Sequence, residues 1–270
     1  MAITETAYAK LNLALHVRGR RDDGYHALET LFAFVDAGDT LVAKAAEHDR
    51  LNTIGEFAQA LDNPFDNLVM RALTALPRVG GLDVTLEKNI PVAAGLGGGS
   101  ADAGAVFRII EQAHGLPDDW HQRAERLGAD VPSCVRSEMA VGRGTGTELE
   151  PVDNDMSGMA VLLVNPRIPL PTGPVFKAWD GKYRGALPTG SAREIARGGR
   201  NDLRSPAVEI CPPIADVLES LNETDPWMCE MSGSGATCFA LYETGEHRDR
   251  AARVLAESEP QWWQMVGMLR

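Results

Sequence analysis

Apolar and polar residues alternate from Ala7 to Arg18, with Ala7, Ala9, Leu11, Leu13, Leu15 and Val17 on one side and Tyr8, Lys10, Asn12, His16 and Arg18 on the other. A period of two predicts a β-strand with one buried face and puts Lys10 and Asn12 on the same side of it. "RRDDGYHAL" then predicts a turn, "ETLFAFV" an apolar run, and "DAGDT" a second turn before "LVAKAA", so the chain opens as antiparallel strands and not as a βαβ unit. "DNLVMRALTAL" has helical spacing at Val69, Ala72, Leu73 and Leu76, with Asp66 or Asn67 as its cap. "LDVTLEK" alternates again at Leu82, Val84 and Leu86 and predicts a half-buried strand. Four glycines follow, and then Val106, Ile109, Ile110 and Ala113 keep helical spacing until "HGLP".

Beyond the polar link "PVDNDMSG", the continuous apolar run "MAVLLVNP" suits a central strand. "RGALPTGSAREIARGGRND" reads as a basic, loop-rich and mobile segment. "WMCEMSGSGATCFALY" brackets a second glycine pair with strand-like sequence, and "EHRDRAARVLAESE" predicts an exposed helix. The expected domain boundary lies near residue 153, giving domains 1–153 and 154–270.

Composition narrows the classes of function. The 270 residues suffice for two domains of ordinary size, and 44% apolar with 24% charged residues is ordinary for a folded soluble protein. A net charge of −12 disfavours general affinity for nucleic acid or an anionic membrane, so an anionic ligand must be met locally. The four cysteines lack CxxC spacing and read as reduced, mainly buried thiols. With no basic-then-apolar N-terminal segment and no apolar run of about 18 residues, the expectation is a soluble cytoplasmic protein.

Why are Gly95, Gly97, Gly98 and Gly99 concentrated ahead of a helix? Glycine serves where φ is positive or where another group approaches the main chain. Successive glycines before a helix aim N–H groups at one point and add to the partial positive charge of its N-terminus, which suits a phosphate. Ser100 either caps this helix or donates its hydroxyl to the anion. The plainer reading, a flexible turn with a serine cap, accounts for an isolated glycine pair better than for four glycines in five residues. The loop has neither the GxxxxGK[ST] pattern of a P-loop nor GxGxxG spacing.

"PVAAGLGGGSADAGA" resembles the second signature of the GHMP kinases, "AYAKLNLALHVRGRRDDGYHALETLF" their first, and "MSGSGATCFALY" their third. The Ala-Lys-Leu-Asn and Gly-Tyr-His combination, together with "LGADVPSCV", is similar to the branch that transfers the γ-phosphate of ATP to the 2-hydroxyl of 4-diphosphocytidyl-2-C-methyl-D-erythritol in the non-mevalonate route to isoprenoid precursors. The resemblance implies an α+β, two-domain fold, with an antiparallel or mixed sheet in the N-terminal domain and a smaller α+β C-terminal domain. It implies ATP as phosphoryl donor, with Mg²⁺ to compensate its charge and Ser100 as a possible ligand. By resemblance Asp130 accepts the proton of the attacking hydroxyl beside Lys10; otherwise Asp130 is a helix cap and Lys10 a solvated strand residue.

The same resemblance assigns the triphosphate to Val92, Ala93, Ala94, Gly95, Leu96, Gly97, Gly98, Gly99, Ser100, Ala101 and Asp102. Asn67 and Lys88 correspond to positions near the adenosine, although a cap and a solvated lysine explain them almost as well. Tyr25 and His26 are expected at the cytosine, Asn12 at the methylerythritol or its phosphate, and Thr172, Phe176 and Lys177 at the cytidine end, where simple packing is the alternative. Gly233, Ser234 and Gly235 are expected to form a tight supporting loop. Ala94 stands where glycine is frequent in the family, and Ser232 and Ser234 where threonine is.

Overall fold

The structure, a computed structural model, describes residues 2–61 and 67–270. By its contacts the chain forms two units, one comprising Met1–Lys10, Gly38–Val92 and Gly97–Ser137, the other Leu11–Ala37, Ala93–Leu96 and Glu138–Arg270. Two long strands, β1 (Ala2–Arg20) and β2 (His26–Ala46), pair with each other and contribute to both units.

In the first unit, β3 (Arg50–Ile54) is followed by α1 (Leu68–Ala75), β4 (Gly81–Glu87), α2 (Gly98–His114), α3 (Trp120–Leu127) and α4 (Val131–Arg136). Strand β4 runs antiparallel to Thr40–Ala46 of β2 and parallel to β3, so this part of the sheet is mixed. Its alternation is as expected, with Leu82, Val84 and Leu86 buried. Asn67 caps α1 by accepting from the Val69 amide at 2.9 Å; the alternative cap, Asp66, lies outside the described residues. Helix α2 packs on α1 and α4 and ends at Gly115, whose φ of 80° with ψ of 162° is a conformation that glycine adopts without strain.

In the second unit, residues 28–32 of β2 pair antiparallel with β5 (Ala140–Gly144), which pairs with β6 (Glu148–Pro151). The chain continues through β7 (Ala160–Asn165), α5 (Thr172–Ala178), α6 (Ala192–Gly198), α7 (Arg204–Ile210), α8 (Pro213–Asn222), β8 (Met228–Met231), β9 (Cys238–Tyr242), α9 (Gly245–Ser258) and β10 (Trp263–Met268). An antiparallel sheet in the order β10-β7-β9-β8 places β7 inside, with all six residues buried, as its apolar run requires. Helices α8 and α9 pack on that sheet, and Val17, Leu162, Ile214 and Tyr242 belong to one core. Of the four free thiols, Cys134, Cys211 and Cys238 are buried and Cys229 is partly covered.

Three expectations change. "DAGDT" is no turn, because β2 runs through it. A Cβ on Gly38 would collide with the Ala7 carbonyl, so this glycine admits a close main-chain approach. Strand β1 is buried on both faces from Lys10 to Val17, which forces its polar side chains to find partners inside. The segment expected to be mobile contains α6, closed by a capping box in which Ser191 and Glu194 each accept the other's main-chain amide. Ala192, Ile195 and Ala196 anchor that helix in the interior.

Candidate active site

The glycine loop contributes to both units. In the first, Gly97 is the N-cap of α2 with φ of 61° and no side-chain cap, so Ser100 does not cap the helix. The amides of Gly98, Gly99 and Ser100 open the helix and have no carbonyl four residues back to satisfy them within it. Left-handed geometry at Gly97 also brings in Lys10: a Cβ there would lie 3.0 Å from Lys10 Cε.

Lys10 is 4% exposed, not solvated, and its Nζ donates to Asp130 Oδ2 at 3.0 Å. Asp130 occupies the N-cap position of α4, yet its side chain makes no cap. The carboxylate is one-third exposed, with 34% of its side chain accessible, so this pair joins a buried ammonium to an open carboxylate. Such a pair can take up a hydroxyl proton and offer a positive charge to an incoming phosphoryl group.

Lys88 is also buried, held between Asp39 and Asp102, the latter at 2.9 Å. Asp39 is fixed further by the Asn89 and Ile90 amides, which donate to its Oδ1 at 2.6 and 2.8 Å. Burial pushes the Asp102 carboxyl up to about 7, against the pull of Lys88 and with the help of Asp39. Burial opposes the charge on Lys88, but the two carboxylates outweigh it and hold its pKa above the ordinary value. Asn67 spends its side-chain oxygen on the α1 cap, and Val92 is exposed.

In the second unit, Ala93 and Gly95 have φ of 55° and 77°, whereas Ala94 is outside the left-handed region and accommodates its methyl. The turn between β8 and β9 is laced to this stretch. Thr237 N donates to Ala94 O at 3.1 Å and Ser232 Oγ to Gly95 O at 2.9 Å, and a Cβ on Gly95 would collide with the Ser232 carbonyl. Gly233 lies against Asn12 Oδ1, with 3.1 Å left for a Cβ. The amide nitrogen of Asn12 donates to Thr30 Oγ1 at 2.8 Å, and Thr172 Oγ1 shares a hydrogen bond with Ser234 Oγ at 3.0 Å.

Also in the second unit, the His26 ring sits 5.0 Å from Phe176 and 5.8 Å, edge-on, from Trp179. Burial, reinforced by Arg20, lowers the His26 pKa and keeps the imidazole neutral near pH 7. Among the described residues its buried Nε2 has no hydrogen-bond partner. Tyr25 beside it is exposed. The Lys177 side chain is exposed as well, while its carbonyl accepts from Arg20 at 3.3 Å.

Asp39, Trp179 and Asn201 went unread in the sequence. Asn201 Nδ2 donates to the Met231 and Gly233 carbonyls at 2.8 and 2.7 Å and so fixes the β8–β9 turn. The Asn-Asp pair closing a basic, glycine-rich stretch was the available signal, since such residues bond to nearby main chain.

Two family models match the chain, "GHMP kinases N terminal domain" over residues 67–138 and "GHMP kinases C terminal" over residues 184–261. A 4-diphosphocytidyl-2-C-methyl-D-erythritol kinase of Erythrobacter litoralis is 76% identical, covering 99% of this chain and 100% of its own. One from Novosphingobium aromaticivorans is 65% identical over 100% of this chain and 94% of its own. A crystal structure of 4-(cytidine 5'-diphospho)-2C-methyl-D-erythritol kinase superposes with a TM-score of 0.83 at 33% identity, covering 99% of both chains. Likeness at that identity over nearly all of each chain is a likeness of the whole protein, and the chain belongs to the 4-diphosphocytidyl-2-C-methyl-D-erythritol kinases of the GHMP kinase superfamily.

Proposed function

We propose that this chain transfers the γ-phosphate of ATP to the 2-hydroxyl of 4-diphosphocytidyl-2-C-methyl-D-erythritol, with its residues in the following roles. The observation that carries the reading is the Lys10–Asp130 pair, 3.0 Å apart, with Lys10 packed against Gly97 at the start of α2. Asp130 takes the proton of the 2-hydroxyl as its oxygen attacks the γ-phosphorus and the bond to ADP breaks. Lys10 orients that carboxylate and neutralises charge on the phosphoryl oxygens in flight. The amides of Gly98, Gly99 and Ser100 hold the triphosphate, supported by Val92–Leu96 on one side of the loop and Ala101 and Asp102 on the other. Asn67 and Lys88 stand toward the adenosine.

For the acceptor, His26 and Phe176 bind the cytosine, with Tyr25, Thr172 and Lys177 at its rim and Asn12 at the methylerythritol. Gly233, Ser234 and Gly235 form the supporting turn. Where Mg²⁺ is bound, Ser100 would offer it a hydroxyl. Among the described residues no group of three or more His, Cys, Asp or Glu is placed to hold a metal; the ion would supply charge compensation to the phosphates. Residues 1–153 and 154–270 serve as the two sequence domains, each containing one of the family matches.

A coupled assay of ADP release with the cytidylated substrate, homoserine and mevalonate offered separately tests this reading. Release is expected with the first alone, and release with none of them would leave nucleotide binding without transfer.

A further inference from the structure

We propose that Arg20 is a positioning residue for recognition of the cytosine: it closes the C-terminal end of α5 and so seats Phe176 against His26, and affinity for the cytidine end of the acceptor depends on it through those two rings. The inference rests on the reading that His26 and Phe176 bind the cytosine, and every residue it uses lies in the second unit.

A helix of seven residues is too short to hold its place by its own hydrogen bonds, so α5 sits where its anchors put it. Val175 and Trp179, one turn apart, are buried in the core that contains Leu15 and Val17 of β1. At the first residue of the helix, Thr172 shares its hydrogen bond with Ser234. The other end is where Arg20 acts. The last carbonyls of a helix have no partner within it. The Trp179 amide satisfies Phe176 O at 3.3 Å, and Arg20 Nη2 donates to Lys177 O at 3.3 Å and to Trp179 O at 3.1 Å. A cation on these carbonyls also meets the negative end of the helix. One guanidinium nitrogen thus joins the last turn of α5 to the residue just beyond it.

Arg20 ends β1 and His26 begins β2, so both sides of one strand connection grip the same helix end. Phe176 approaches the His26 ring at 5.0 Å with the planes tilted by 36°, and Trp179 meets it edge-on at 5.8 Å. Both rings belong to the segment that Arg20 fastens. Release of the Lys177 and Trp179 carbonyls frees the last turn to unwind, and Phe176 and Trp179 then shift together against His26. The guanidinium acts on the same ring a second time, since its charge reinforces burial in keeping the imidazole neutral.

Neither neighbouring arginine takes this place. Arg18 is bound to Glu29 at 2.8 Å and lies over the Tyr183 ring at 4.5 Å, and Arg21 is paired with Asp23 at 2.9 Å. Arg20 is itself exposed, so its replacement leaves the core intact and the effect falls on the helix end.

Calorimetric titration of the intact chain with cytidine 5'-diphosphate and with uridine 5'-diphosphate, at pH 8 where the imidazole is neutral with or without Arg20, tests this together with steady-state kinetics on the cytidylated substrate. The wild type is expected to bind the cytidine compound more tightly than the uridine one. Arg20→Met should weaken cytidine binding by about fivefold or more and narrow the preference over uridine. KM for the cytidylated substrate should rise in step, with kcat within about twofold of wild type. Arg20→Lys, which keeps a cationic donor on a long stem, should recover most of the loss. In NMR spectra without ligand, the His26 ring protons should move in Arg20→Met as the two aromatic rings shift. Unchanged cytidine binding in Arg20→Met, a loss confined to kcat, no recovery in Arg20→Lys, or unmoved His26 resonances overturns the inference while leaving the cytosine assignment standing. The same holds if affinity for an ATP analogue and the melting temperature fall along with cytidine binding, which is the mark of a general loosening. A wild type with no preference for cytidine overturns the assignment and the inference together.

Discussion

Asp130 and Lys10 are 120 positions apart in sequence yet 3.0 Å apart in space, and the proposed proton transfer rests on that one distance. Asp130→Asn keeps the size of the side chain and removes its basicity. Turnover should fall by about a hundredfold or more, while nucleotide affinity in an equilibrium titration stays within about twofold, because a general base acts on the transition state. These two residues were legible in the sequence because short motifs surround them. Asp39 was not, since "DAGDT" has the composition of a turn. What decides its role is Lys88, 49 positions away, and no local pattern reports so distant a partner. Trp179 was hidden for a similar reason, as its edge-on contact with His26 joins α5 to the start of β2.

Helices and strands were read best where a single face decides them. β4 alternates in the structure as it does in the sequence, and α2 keeps the spacing of Val106, Ile109 and Ile110. β1 was misread in its exposure because periodicity reports which side is apolar and says nothing about whether the polar side is also covered. The start of α2 offers a test at this scale. Gly98 is helical and has ordinary room for a side chain, its nearest neighbour being 3.5 Å from a Cβ, whereas Gly97 combines φ of 61° with Lys10 at 3.0 Å. Gly98→Val should therefore leave the melting temperature within a few degrees and weaken nucleotide binding by about tenfold or more, by crowding the amides; a binding constant unchanged from wild type would remove those amides from the phosphate site. At Gly97 the same substitution strains the fold itself, since a left-handed β-branched residue is disfavoured by about 1–2 kcal/mol.

At the scale of the molecule, the two contact units interleave along the chain because β1 and β2, of 19 and 21 residues, contribute to both. Sequence shows a sequential pair of halves, since family signatures and polar links are local features, while the pairing of long strands is not. The net charge of −12 is likewise a property of the whole and does not set the charge at any one place.

The sulfur chemistry is settled by the interior as well. Burial pushes the Cys134 and Cys229 thiols up to about 12, and it raises Cys238 well above its ordinary value and Cys211 too. A protonated, enclosed thiol is a poor nucleophile, so the folded protein should resist alkylation near neutral pH. Iodoacetamide labelling followed by mass spectrometry would then act as a clock, each of the buried sulfurs of Cys134, Cys211 and Cys238 being marked only as fast as the chain around it opens, and rapid modification of Cys134 in the native protein would contradict this.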